Sequence, residues 1–197
     1  MFLTKRAYKA TCLPCRQFSF NYPCPRNLRE IMKMSLIEIE SPETVKTIWS
    51  TYHKERKNTI CHVFSATQYQ QFHQNLTYAP IFLYPMKKPG GHYNLVSQAQ
   101  NKSILFTTLE EYRQNPGSAS PYLILTMYNE LLISKGLGLM RGDIFGNFQG
   151  DEATKLMHMC IDSYMNESMY QYAKRFNHEP DRFNIEGYTE MALAKQV

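Results

Sequence analysis

The chain has 197 residues, 43% of them hydrophobic, with 22 basic and 17 acidic side chains and a formal charge of +5. A chain of this length forms one domain and buries roughly 70% of its unfolded surface, so it needs neither a disulfide nor a metal to fold. The charge does not mark a nucleic-acid binder. Lys5, Arg6, Lys9 and Arg16 stand before Ser19, the first acid is Glu30, and taking those four from 22 leaves 18 basic against 17 acidic residues. A body this close to neutral carries no broad phosphate-binding surface.

Residues 1–18 read as a mitochondrial transit peptide: basic, free of acids, with Phe2, Leu3, Arg6 and Ala10 on one side of a short amphipathic helix that Pro14 stops. Arg16-Gln17-Phe18-Ser19 resembles a matrix-protease site, which predicts cleavage between Phe18 and Ser19. Lys5, Arg6 and Lys9 interrupt any secretory apolar run. No stretch reaches about 18 apolar residues, so no membrane span is expected. Residues 19–27, aromatic and proline-rich, are a linker, and 28–197 are the domain.

Asn27 caps a short predicted helix over Leu28–Lys33. Ser41-Pro42-Glu43 opens a second, with the N-cap hydroxyl, the first-turn proline and an acid on the helix dipole. Val45, Ile48, Trp49 and Tyr52 follow as one stripe, which predicts a buried Trp49. Thr59–Phe64 reads as a strand, and Ser65 caps a helix that places Tyr69, Phe72 and His73 on one side. Ile81–Met86, Tyr93–Val96 and Ile104–Thr107 form a strand meander, its first gap a five-residue loop around Pro89-Gly90-Gly91.

Leu109–Gln114 is a short helix, ended by Asn115-Pro116-Gly117. Tyr122–Tyr128 is nearly all apolar, a strand buried on both faces, and Gly136–Arg141 is its antiparallel neighbour across Asn129-Glu130. Asp151 opens a helix with Ala153, Leu156, Met157, Cys160, Ile161 and Tyr164 inward. Met169, Tyr172, Ala173 and Phe176 mark another, which stops at Asn177-His178-Glu179-Pro180. No periodicity decides the segment after Phe183. The sum is an α+β single domain, mainly an antiparallel sheet of about six strands flanked by helices.

No constellation for catalysis is legible. Gly136 to Gly142 has one residue too many for a dinucleotide loop, and no Gly-Lys-Ser/Thr phosphate loop occurs. The six histidines form no ligand pair, and Cys12-x-x-Cys15 lacks the second pair that zinc requires. Cys61 and Cys160 lie in apolar runs as small hydrophobes of a reducing compartment. Arg141-Gly142-Asp143 spells an adhesion tripeptide, read as chance. The residue chemistry points away from an enzyme and predicts neither a cofactor, nor a metal, nor a small-molecule ligand.

Leu28-Arg29-Glu30-Ile31-Met32-Lys33, Ile48-Trp49-x-x-Tyr52-His53 and Ala79-Pro80-Ile81-Phe82-Leu83-Tyr84-Pro85 resemble the ATP11 family. Phe106-Thr107-x-Leu109-x-x-Tyr112 and Tyr172-x-x-x-Phe176-Asn177-x-x-Pro180-x-x-Phe183 are similar too. The resemblance runs from Leu28 to Leu193, with nothing before Asn27. It implies an α+β chaperone of the mitochondrial matrix that binds the unassembled β subunit of F1 ATP synthase. It would prevent aggregation of that subunit until the α subunit associates. The alternatives are a matrix enzyme with an unrecognised site or an accessory structural subunit of a respiratory complex. A holding chaperone needs an adaptable apolar surface, which methionine and aromatic side chains supply. Met165, Met169, Tyr170, Tyr172, Phe176 and Phe183 are the candidates for it. The alternative for these residues is that they fill the core against the sheet.

Overall fold

A computed structural model of the chain describes residues 25–115, 117 and 119–196. The predicted transit peptide, its cleavage point at Phe18–Ser19 and most of the linker lie outside these residues. Six strands form one sheet: β1 (Thr59–Ser65), β2 (Ile81–Lys88), β3 (Gly91–Gln100), β4 (Ser103–Thr108), β5 (Leu123–Tyr128) and β6 (Leu137–Ile144). Every pairing is antiparallel, in the order β1-β6-β5-β4-β3-β2. The helices are α1 (Leu28–Ile31), α2 (Met34–Ile37), α3 (Pro42–Lys54), α4 (Ala66–Tyr78), α5 (Leu109–Gln114), α6 (Leu132–Lys135), α7 (Gly150–Met165), α8 (Glu167–His178) and α9 (Ile185–Ala194). The α+β architecture of the sequence reading holds.

Strand alternation divides the sheet between two cores. Leu123, Leu125 and Met127 of β5 point to the side that α4, α7, α8 and α9 cover, together with Phe82, Tyr84, Leu95, Phe106 and Met140. Tyr128, Leu137 and Leu139 join Leu28, Ile37, Val45 and Trp49 from α1–α3 in a smaller core on the opposite side. All six residues of β5 are buried, as the apolar run required. Gly138 lies where α4 crosses β6, and a methyl group there would run into the Tyr69 ring.

Several local expectations shift. The β2–β3 connection is a two-residue turn, because Lys88 pairs with Gly91 and only Pro89 and Gly90 remain outside the ladder. Gly90 takes φ +78, the value a proline-initiated type II turn demands of its second central residue. The short N-terminal helix ends at Ile31, and a second turn of helix, α2, follows it. In α3 the inward residues are Val45, Trp49 and His53, whereas Ile48 is 39% exposed. His53 enters the core because its Nδ1–H donates to the Trp49 carbonyl one turn back at 2.8 Å, and burial lowers its pKa so that the ring stays neutral. His73 is exposed, stacked on Tyr69 from outside, and Leu76 takes the inward place. α6 interrupts the expected β5–β6 hairpin, and its C-cap Gly136 has φ 66.

Candidate partner-binding surface

The six candidates from the sequence converge on the α7–α8–α9 side of the sheet but divide by depth. Met169 and Tyr170 are 5% and 8% exposed and belong to the larger core, so in the folded chain they are not surface. The reason is the hand of α8: its first turn, capped by Asn166 onto the N–H groups of Ser168 and Met169, turns these two residues toward α7 and the sheet. Met165, Tyr172, Phe176 and Phe183 are half-buried against that core.

Aromatic contacts knit the latter group to the sheet. Phe176 and Phe183 meet edge-on with centroids 5.1 Å apart, and each meets Phe82 of β2, at 5.8 and 6.5 Å. Tyr188 of α9 contacts Phe82, Tyr172 and Phe183 at 5.1, 5.5 and 5.5 Å. Offset and edge-on pairs of this kind add about 0.5–1.5 kcal/mol each beyond burial. Tyr188 was missed by the sequence reading because α9 lacks a clear apolar period.

The same helices seal the outer edge of β2. The Asn177 side chain donates to the Ile81 carbonyl at 2.6 Å and accepts from the Ile81 N–H at 3.1 Å, as a neighbouring strand would. The Tyr188 hydroxyl donates to the Leu83 carbonyl at 2.7 Å, and Gln196 donates to the Pro85 carbonyl at 2.6 Å while accepting from the Lys87 N–H at 3.2 Å. Residues 81, 83, 85 and 87 all point their main-chain groups outward, so α8 and the chain after Phe183 close an edge otherwise open to pairing.

Large apolar side chains are exposed elsewhere. Ile39 is 80% and Ile133 fully exposed, with Leu36 at 55%. Lys135, two residues beyond Ile133, donates from Nζ to the carbonyls of Glu38 and Glu40 at 2.8 and 2.6 Å, on either side of Ile39. That clamp sets α6 against the α2–α3 connection. No periodicity signals the three exposed residues, because they sit on one-turn helices and a bend. Tyr78, at the end of α4, is 56% exposed and lies 4.4 Å from the His178 ring.

Cys160, Tyr84 and Tyr164 lie fully buried in the larger core. Burial pushes the Cys160 thiol up to about 12 and raises the Tyr84 and Tyr164 hydroxyls beside it. Cys61 is shifted the same way by its own partial burial. Among the described residues no group of three or more His, Cys, Asp or Glu side chains is placed to hold a metal, and no helix is long and apolar enough to cross a membrane.

The ATP11 family model, described as ATP11 protein, matches residues 14–188. The chain belongs to the ATP11 family. The match begins within the segment read as a targeting peptide, ahead of Leu28, where the resemblance in the sequence begins. Two curated proteins similar to this ATP11 chain are both named ATP synthase mitochondrial F1 complex assembly factor 1. The mouse (Mus musculus) protein is 21% identical over 178 residues, covering 89% of this chain and 55% of its own. The human (Homo sapiens) protein is 23% identical over 161 residues, covering 80% of this chain and 49% of its own. The chain thus spans about half the length of the curated relatives it matches.

Proposed function

We propose that the protein is an assembly chaperone of the mitochondrial matrix that binds the unassembled β subunit of F1 ATP synthase and keeps it from aggregating until the α subunit associates. Membership of the ATP11 family carries this reading, supported by two relatives named as F1 assembly factors. The protein acts by covering a surface rather than by catalysing a reaction. Two apolar areas suit that task. One is the exposed set Leu36, Ile39 and Ile133 on α2, α6 and the turn after α2, whose side chains gain about 25 cal/mol for each Å² removed from water. The other is the half-buried group Met165, Tyr172, Phe176 and Phe183.

Purified protein mixed separately with unassembled β subunit and with intact F1 tests the proposal. Selective capture of the free subunit is expected, without any nucleotide requirement on this protein's side. Equal binding to both, or to neither, would refute the holding mechanism. Ile39→Asp with Ile133→Asp, and separately Tyr172→Asp with Phe183→Asp, then locate the surface. Both pairs leave the fully buried core in place, and unchanged affinity in folded variants removes the corresponding area.

A further inference from the structure

One concave region of the molecule is built from residues that no functional reading above uses. It is a cleft of about 340 Å³ at the end of β6, lined by Arg26, Arg56, Lys57, Arg141 and Asp143 among others. Arg26 precedes α1, Arg56 and Lys57 lie in the turn between α3 and β1, and Arg141 and Asp143 are on β6. The fold fixes their meeting. The Tyr128 hydroxyl donates to the Arg26 carbonyl at 3.0 Å, Thr59 pairs with Asp143 in the β1–β6 register, and the Ile144 N–H donates to the Asn58 carbonyl at 3.0 Å.

Arg141 is 5% exposed. Asp143 accepts from its Nε at 3.1 Å and from its Nη2 at 2.5 Å, while Nη1 has no partner. The His53 Nε2, also buried on this side of the sheet and close enough to Arg141 to be destabilised in its charged form, has none either. Among the described residues Arg26, Arg56 and Lys57 have no ion-pair partner. The Arg56 guanidinium sits 4.3 Å from the Tyr52 ring centroid, which holds it in place without neutralising it. Four cationic residues and one carboxylate therefore line one concavity, an excess of positive charge that recruits an anion.

We infer that this cleft binds a phosphoryl oxyanion carrying two or more charges, such as a di- or polyphosphate group. Two features favour phosphoryl over carboxylate. A carboxylate brings one charge and pairs with the two-nitrogen edge of a single guanidinium, so it would leave most of the unpaired cations Arg26, Arg56 and Lys57 unneutralised. The remaining cations come from separate segments around an open cleft, which suits an anion with charge on several oxygens. The inference departs from the expectation that the protein takes no small-molecule ligand. It needs no phosphate loop, since side chains rather than main-chain amides supply the donors. It also stands independently of the client that the chaperone binds.

Isothermal titration of the full chain at low salt, with inorganic pyrophosphate and with a hexaglutamate peptide as separate probes, tests it. Pyrophosphate should bind, and binding should weaken as salt is raised. Arg56→Ala with Lys57→Ala, both at exposed positions, should weaken it about tenfold or more, the loss expected when charge-assisted hydrogen bonds are removed. Arg141→Lys should act in the same direction, and Lys54→Ala, outside the cleft, should leave affinity unchanged. Absence of pyrophosphate binding, binding indifferent to the Arg56 and Lys57 pair, or binding of the glutamate peptide alone would overturn the assignment.

Discussion

Replacing Trp49 by alanine tests the smaller core directly. The side chain is fully buried, 4.2 Å from the His53 ring and 5.9 Å from the Tyr128 ring by centroid, and its indole N–H donates to the Met140 carbonyl at 3.3 Å. Burying on the order of 200 Å² at about 25 cal/mol per Å² is worth about 5 kcal/mol, in line with the roughly 3–5 kcal/mol that Trp→Ala costs in other cores. The hydrogen bond is long and adds at most about 1 kcal/mol, so the cavity decides the outcome. Trp49→Phe, which keeps most of the apolar volume, should therefore cost well under half as much. Urea unfolding followed by far-ultraviolet circular dichroism measures both. The chain has 1 tryptophan, so wild-type emission reports on this site alone and should be blue-shifted until the protein unfolds. A Trp49→Ala variant within about 1 kcal/mol of wild type would show that Trp49 does not organise the packing of α1–α3, since a filled site of this kind costs more to empty. So would wild-type emission like that of tryptophan in water.

Asn177→Ala removes both bonds to Ile81 and should cost about 2 kcal/mol, with faster aggregation through the uncovered β2 edge; thermal unfolding combined with light scattering reads both effects. Burial raises Cys160 from 9.0 to about 12 and Tyr69 and Tyr93 from 10.0 to about 12. Folded pKa values above unfolded ones mean that the folded state holds these protons longer, so stability is intact below about pH 9 and falls as pH rises toward 12, which chemical denaturation across that range will register. For the same reason Cys160 should resist alkylation in the native protein at pH near 8 and react once it is unfolded, as peptide mapping by mass spectrometry can show. Sequencing of the protein from mitochondria should find Ser19 at the mature N-terminus; a chain still beginning at Met1 would sink the transit-peptide reading.

Elements whose signals are local were legible in the chain itself. Ser41-Pro42-Glu43 and Ser65 fixed helix starts because an N-cap hydroxyl satisfies a nearby N–H, and both hydroxyls do so here, onto Thr44 and Gln68. The β5 run was readable as a doubly buried strand because burial on both faces abolishes alternation. The fully buried Trp49 followed from helical spacing alone. The family, too, was visible in apolar and turn residues spread along the chain. Tertiary structure decided what depends on partners distant in sequence. It turned His53 inward and left Ile48 at the margin, because a buried ring nitrogen can be satisfied by the Trp49 carbonyl while the sheet contacts only a narrow arc of α3. It drew Met169 and Tyr170 into the core, made α9 a helix that caps an edge strand, and left Ile39 and Ile133 exposed around a lysine clamp between α6 and the α2–α3 connection. Charge shows the contrast most plainly. Counted along the sequence, the body is almost neutral, yet the fold brings Arg26, Arg56, Lys57 and Arg141 around one cleft, because electrostatic potential follows distance in space and not separation along the chain.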